Sequence, residues 1–305
     1  MQNMQSIENF LQEQQANYGF CFSIVSISNT ITQQILAILS SSEIAMWERF
    51  ILPKRQNEWL AGRMAAKKAV LALWGKNLES IEEYKKLELG YGEKGVPYVL
   101  GFPEIHVSIS HSYGIAVALA GYFSIGIDLE KEFLPEKALL RFFFSPQEEK
   151  YLLSLAEEEQ KKIATLLWTR KEAIVKLLKQ GASLCFQEIS TLENQVDIFS
   201  HCVQVVSFST NEYAISLALE KKMTYQEIYE KTQTIVQEYL RLEKEEIQPQ
   251  SHLMMDFNAD SIAIVEIGFR IAETFQIPIP PAQDSLLIFE NTIAYIQQEL
   301  LKKQS

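Results

Sequence analysis

The stretch IHVSISHSYGIAVALAGYFSIGIDLE, residues 105–130, decides how most of this 305-residue chain is read. Apolar residues crowd Ile105–Ser110 and Ile115–Ala120, and Ser112-Tyr113-Gly114 between them supplies turn residues, so a hairpin is expected. Phe123–Glu130 is expected to continue the same sheet. Working outward, Tyr18–Ser28 alternates and reads as a strand, while Thr32–Phe50 and Gln56–Trp74 carry helical apolar spacing on either side of Pro53. Gly90–Pro97, with three glycines and a proline, reads as a turn region. Beyond Glu130 the pattern partly repeats. Helices are expected over Pro135–Phe143, Pro146–Leu155 and Glu158–Lys179, with Gly181 as a C-terminal stop, then strands over His201–Ser209 and Glu212–Leu219. Strand-helix-strand order occurring twice implies a pseudo-duplicated, two-lobed α+β domain over residues 1–220.

After Glu220 the strand signals stop. Helices are expected over Tyr225–Leu242, Asp260–Phe275 and Asn291–Lys302, with a short segment at Leu286–Phe289, so residues 221–305 read as a small four-helix bundle. The chain is 47% hydrophobic and carries a formal charge of −11, spread along its length, which argues against nucleic-acid or anionic-membrane partners. No run of about 18 apolar residues offers a membrane span, and Met1–Gln15 lacks the basic start and apolar core of a secretory signal. Cys21, Cys185 and Cys202 are scattered and odd in number, as reduced thiols of a cytoplasmic protein would be.

Asp128 and Glu130 stand two residues apart on the expected strand and so share a face. Close oxygen ligands of this kind suit Mg²⁺, which is held by carboxylates, waters and substrate phosphates. Trp168, Glu172 and Lys176 recur at i, i+4 and i+8 on one helix face, a carboxylate and an ammonium one turn apart. Blander readings exist: an exposed strand end for Asp128 and Glu130, and a solvated ion pair for Glu172 and Lys176. Asp260-Ser261 opens a helix, where either residue type could serve as an N-cap.

Order and spacing favour the chemical reading. Trp59-x-x-Gly62-Arg63-x-Ala65-x-Lys67, Ser110-His111-Ser112, Gly126-Ile127-Asp128-x-Glu130 and Trp168-x-x-Lys171-Glu172-Ala173-x-x-Lys176 together resemble the surfactin-type 4′-phosphopantetheinyl transferases over about residues 18–220. The resemblance implies that Asp128, Glu130 and Glu172 ligate Mg²⁺ bridging the pyrophosphate of coenzyme A. It implies that Ser110 and Lys176 contact that pyrophosphate, that His111 and Arg63 lie toward the 3′-phosphate, and that Glu172, assisted by Lys176, is the catalytic base. The chain departs from the family at Val96, where a lysine between glycine and proline is usual, and at Glu43 and Met46, where some members carry lysines. Lys94, Lys54 and Arg55 are the candidate substitutes.

Asp256-x-x-x-Asp260-Ser261-Ile262 resembles the attachment motif of acyl or peptidyl carrier domains over about residues 224–303. That likeness implies 4′-phosphopantetheine on Ser261, at a helix N-terminus that favours a phosphodiester, with Met255 and Ile262 flanking a docking surface. The expected activity is transfer of 4′-phosphopantetheine from coenzyme A to a carrier serine, its own Ser261 or another's, serving a fatty acid, polyketide or nonribosomal peptide synthase. The competing expectation is a degenerate module that only positions a carrier primed by another enzyme.

Overall fold

The computed structural model describes residues 2–27, 33–179, 185–198, 201–220, 223–275 and 277–302. The expected helix stop at Gly181 lies outside them. The chain divides into two compact units, residues 1–198 with 203–220, and residues 221–305 with 199–202.

The first unit opens on a helix, α1 (Gln2–Tyr18), which the Gln-rich composition concealed. Its Ile7, Phe10, Leu11 and Gln14 fall at helical spacing and are buried. The strand β1 (Cys21–Ser26) follows, then α2 (Gln33–Leu36) and α3 (Ser41–Glu48), so the single expected helix over 32–50 is two. A capping box closes the break: Ser40 Oγ accepts from Glu43 N, and Glu43 Oε2 accepts from Ser40 N. Pro53 starts the long α4 (Pro53–Leu73), as its missing N–H allows. Next come α5 (Ile81–Lys86), β2 (Leu89–Tyr91) and β3 (Pro97–Val99), the last two forming a small hairpin across Gly90–Pro97. The hairpin of β4 (His106–Ser112) and β5 (Ile115–Gly121) turns on Tyr113 and Gly114, both at positive φ.

β6 (Ile125–Lys131) does not continue that sheet. It leads a second one, completed by β7 (Gln195–Ile198), β8 (His201–Ser209) and β9 (Tyr213–Glu220). The sheet orders are β1-β5-β4-β3-β2 and β6-β9-β8-β7, so β6 is an edge strand. The helices α6 (Lys137–Phe143), α7 (Pro146–Leu153) and α8 (Glu157–Leu177) lie between β6 and β7 in sequence. Pairing between strands far apart in the chain separates the sheets, and strand periodicity carries no signal for it. α1 buries its stripe against Val117, Leu119, Ile127, Leu129, Ile215 and Leu217, side chains from both sheets.

Two contacts set where the site falls. Gly62 of α4 lies over β4, where an added Cβ would meet Ile109 Cγ2 at 3.1 Å. Gly126 of β6 lies directly beneath α8, and a Cβ there would enter the Ala173 carbonyl oxygen and press on Leu177 N. Only glycine lets the strand come this near, and the closeness brings Glu172 and Lys176 over Asp128.

In the second unit, α9 (Tyr225–Leu240), α10 (Ser261–Phe275) and α11 (Phe289–Lys302) bury Ile228, Ile235, Ile267, Ile271, Phe289 and Ile293 in one core. The fourth expected element is a 3₁₀ turn at Asp284–Leu287. The architecture is therefore α+β followed by a helical unit.

Candidate active site

Site chemistry gathers where β4, β6 and α8 meet. Asp128 is 3% exposed, and its Oδ1 accepts from Lys176 Nζ at 2.6 Å and from Ser110 Oγ at 2.8 Å. Lys176 Nζ also donates to Ile127 O at 3.1 Å. Asp128 Oδ2 is buried with no hydrogen-bond partner among the described residues. Glu130 Oε2 accepts from Ser112 Oγ at 2.8 Å. Burial, then the Asp128 charge, push the Glu130 carboxyl up to about 7. Glu172 is also raised, first by burial and then by Asp128, while Lys176 opposes the shift. Three carboxylates thus feel one another through a poorly solvated space. Among the described residues, however, no group of three or more His, Cys, Asp or Glu side chains converges as a metal-holding cluster. Asp128 turns to Lys176 and Ser110, and Glu130 to Ser112. The donor set is nonetheless all oxygen, mutually repelling and under-solvated, with one buried oxygen left over, and these residues fit a hard divalent cation.

Beside this cluster lies a cavity of about 200 Å³ whose walls include Arg55, Glu58, His106, His111, Lys176 and Lys179. Arg55 Nη1 donates to His111 Nε2 at 3.4 Å, and Lys179 Nζ donates to His106 Nδ1 at 3.0 Å. Burial lowers both imidazoles; neighbouring Arg55 and Lys176 add to this at His111, and Lys179 at His106. An arginine, two lysines and two imidazoles against one acid make a receptor for anionic oxygens. Val96 lines the same cavity, so the family's missing lysine does fall on its wall. Arg55 lines it too and supplies a cation from another element, whereas Lys94 and Lys54 are not among the described lining residues.

Arg63 and Ser110, both expected at the phosphates, do not line this cavity among the described residues, and the three buried guanidinium nitrogens of Arg63 have no hydrogen-bond partner there. Arg63 is 1% exposed. Its guanidinium sits 4.6 Å from the Trp59 ring and 4.9 Å from the Tyr91 ring, with Nε 3.7 Å from Glu43 Oε1. Glu43, itself 2% exposed, also takes Lys67 Nζ at 2.6 Å and the Leu89 N–H at 3.2 Å. Glu43 is therefore the anion of an interior cation cluster, and Met46 packs against the same core. Neither position lines the cavity among the described residues. Ser110 is 6% exposed, and its Oγ donates to Asp128 Oδ1 at 2.8 Å.

Ser112, His106, Lys179, Arg55 and Glu58 belong to this neighbourhood although no role was read for the first three and the last. The one available signal was the alternation Ser108-x-Ser110-x-Ser112 on a strand. Trp168 packs into an aromatic cluster, with Phe143 at 4.8 Å and Phe186 at 5.5 Å.

In the second unit Asp260 Oδ1 accepts from Ala263 N at 2.8 Å and caps α10. The cap is the aspartate, and Ser261, the first helical residue, is exposed. Met255 and Ile262 are exposed as well, at 77% and 73%.

Residues 124–223 match the family described as the 4′-phosphopantetheinyl transferase superfamily, and residues 49–121 the 4′-phosphopantetheinyl transferase N-terminal domain. Residues 230–283, which include Ser261, match the phosphopantetheine attachment site family. The 4′-phosphopantetheinyl transferase HetI of Nostoc sp. is 33% identical over 156 residues, covering 49% of this chain and 63% of its own. A 4′-phosphopantetheinyl transferase of Bacillus subtilis is 28% identical over 157 residues, 52% of this chain and 67% of its own. An acyl carrier protein of Guillardia theta is 34% identical over 79 residues, 26% of this chain and 98% of its own. The chain spans just under two thirds of the length of the cyanobacterial transferases it matches. The likeness to transferases thus falls on the first unit and the likeness to carrier proteins on the second. The last part of the chain belongs to the acyl carrier protein family, and the part before it is similar to 4′-phosphopantetheinyl transferases along residues 49–121 and 124–223.

Proposed function

We propose that this chain, a Mg²⁺-dependent transferase of the surfactin type, moves 4′-phosphopantetheine from coenzyme A to a carrier serine, its own Ser261 included, and releases 3′,5′-ADP. Residues 1–220 form the transferase and residues 221–305 the carrier that serves a fatty acid, polyketide or nonribosomal peptide synthase. The protein works in the cytoplasm, a reading that accords with three free cysteines and with the lack, among the described residues, of any helix long and apolar enough to cross a membrane. One observation carries the proposal: a buried Asp128 whose Oδ1 is fixed by Lys176 and Ser110 while Oδ2 has no partner among the described residues, its charge felt by Glu130 and Glu172.

Asp128, Glu130 and Glu172 would hold the Mg²⁺. When bound, that ion neutralises charge on the diphosphate of coenzyme A. Lys176 stands between the carboxylates and the cavity and places its ammonium against the diphosphate oxygens. Arg55 and His111 bind the nucleotide phosphates. The serine Oγ attacks the phosphorus that carries the pantetheine arm, the P–O bond to the adenylate side breaks, and 3′,5′-ADP leaves with the bond's electron pair. The serine proton passes to Glu172, the carboxylate one helical turn from Lys176 on α8.

Intact-mass measurement tests this. The full chain with coenzyme A and Mg²⁺ should gain one phosphopantetheine, Ser261→Ala should gain none, and Glu172→Gln should stay unmodified while melting as wild type does. A wild-type chain that modifies neither itself nor a separate carrier rejects the proposal. The rate across a dilution series separates the routes: independence of protein concentration means modification within one chain. A second reading, a non-catalytic module that positions its carrier, draws on the carboxylates not converging. Coenzyme A binding that is metal-independent and survives Asp128→Ala would favour it.

A further inference from the structure

β6 is an edge strand, and an edge leaves every second N–H without a ladder partner. Ile127, Leu129 and Lys131 have those N–H groups. Each is met by a side chain: Ile127 N donates to Ser108 Oγ at 3.0 Å, Leu129 N to Ser110 Oγ at 3.1 Å, and Lys131 N to Ser112 Oγ at 3.0 Å. Three serines spaced by two on β4 match three amides spaced by two on β6, because both strands share the same period. All three serines are buried. A serine that accepts an amide proton still has its own proton to give. Ser110 gives it to Asp128 Oδ1 and Ser112 to Glu130 Oε2, both at 2.8 Å. Opposite Ser108 the corresponding residue is Gly126, which has no side chain to orient.

We infer that Ser110 and Ser112 are positioning residues for the acidic cluster: the β6 amides fix each hydroxyl, and each hydroxyl fixes one carboxylate oxygen, turning the other toward a divalent cation. The inference rests on the cation reading of Asp128, Glu130 and Glu172. Its support is geometric. Asp128 Oδ1 is saturated by Ser110 and Lys176, and Oδ2, equally buried, has no partner among the described residues. Buried carboxylate oxygens are usually hydrogen-bonded, so an orphan oxygen within an all-oxygen acidic cluster suits a cation. Ser108 separates this role from a structural one, because it seals the edge in the same way while the β6 position beside it is a glycine.

The test is calorimetric titration of the full chain with Mg²⁺ alone, paired with melting curves, for Ser108→Ala, Ser110→Ala and Ser112→Ala. Each variant loses one amide acceptor, so all three should melt below wild type. Only the last two should weaken Mg²⁺ binding, by about 10- to 100-fold, the usual loss when an outer-shell partner of a ligand is removed. Ser112→Thr keeps the hydroxyl and should restore the affinity. Equal weakening in all three variants, or unchanged Mg²⁺ affinity in Ser110→Ala and Ser112→Ala, overturns the inference. Absence of saturable Mg²⁺ binding to wild type itself is a different result: it removes the cation reading and this inference with it.

Discussion

Gly126→Ala is the smallest change that should disturb both the packing and the chemistry of the first unit. The added methyl group meets backbone, the Ala173 carbonyl and the Leu177 amide, and no flexible side chain can yield. α8 must retreat from β6. Overpacking of this sort costs about 1–3 kcal/mol, and a backbone obstacle puts the cost at the upper end. For a unit of roughly 200 residues that is a fall of about 4–10 °C in melting temperature. The retreat also lengthens the 2.6 Å contact of Lys176 with Asp128 and the 3.1 Å contact with Ile127 O. Misplacement of a reacting group by about 1 Å is enough for a loss of about 100-fold in rate. Scanning calorimetry and initial transfer rates on the same sample read both effects. A Gly126→Ala chain that melts within about 1 °C of wild type and transfers at the wild-type rate would refute the claim that α8 rests on this glycine.

Three further outcomes follow from the site. His106 and His111 have lowered proton affinity in the folded state, chiefly through burial, so between their folded values and the ordinary 6.5 the unfolded chain binds more protons. Stability should therefore fall as pH drops through that window, and His106→Gln/His111→Gln should show a shallower decline in melting temperature from pH 7.5 to 5. Arg63→Lys should lower the melting temperature, since lysine loses the stacking on Trp59 and Tyr91, by about 1–2 kcal/mol of stability, while coenzyme A affinity holds; lost affinity at unchanged stability would return Arg63 to the phosphate site. Val96→Lys should place a cation on the cavity wall and tighten coenzyme A binding by about fivefold, about 1 kcal/mol, in an equilibrium titration at low salt.

Local pattern made much of this molecule legible. The β4–β5 hairpin, α4, α8 and α10 follow from apolar periodicity and turn residues within each segment. Asp128, Glu130, Glu172 and Lys176 were legible because strand and helix periods put each pair on one face. What stayed hidden depends on distant partners. That β6 leaves the first sheet is decided by its pairing with β9, some 90 residues later in the chain. Arg63 stacks on Tyr91 and faces Glu43, contacts that no local pattern announces. Three alternating serines look like a solvated strand face, and only the proximity of β6 makes them buried acceptors. α1 was readable from the spacing of Ile7, Phe10, Leu11 and Gln14, but glutamines outnumber its apolar stripe.

Hydroxyl groups joining β4 to β6 have a kinetic signature as well. Amides 127, 129 and 131 lie outside any ladder and by strand order alone should trade their protons with solvent quickly. Closed off by Ser108, Ser110 and Ser112, they can exchange only when the two sheets part. Their deuterium uptake becomes a clock for that parting, one that runs on side chains and can be sped up a single rung at a time.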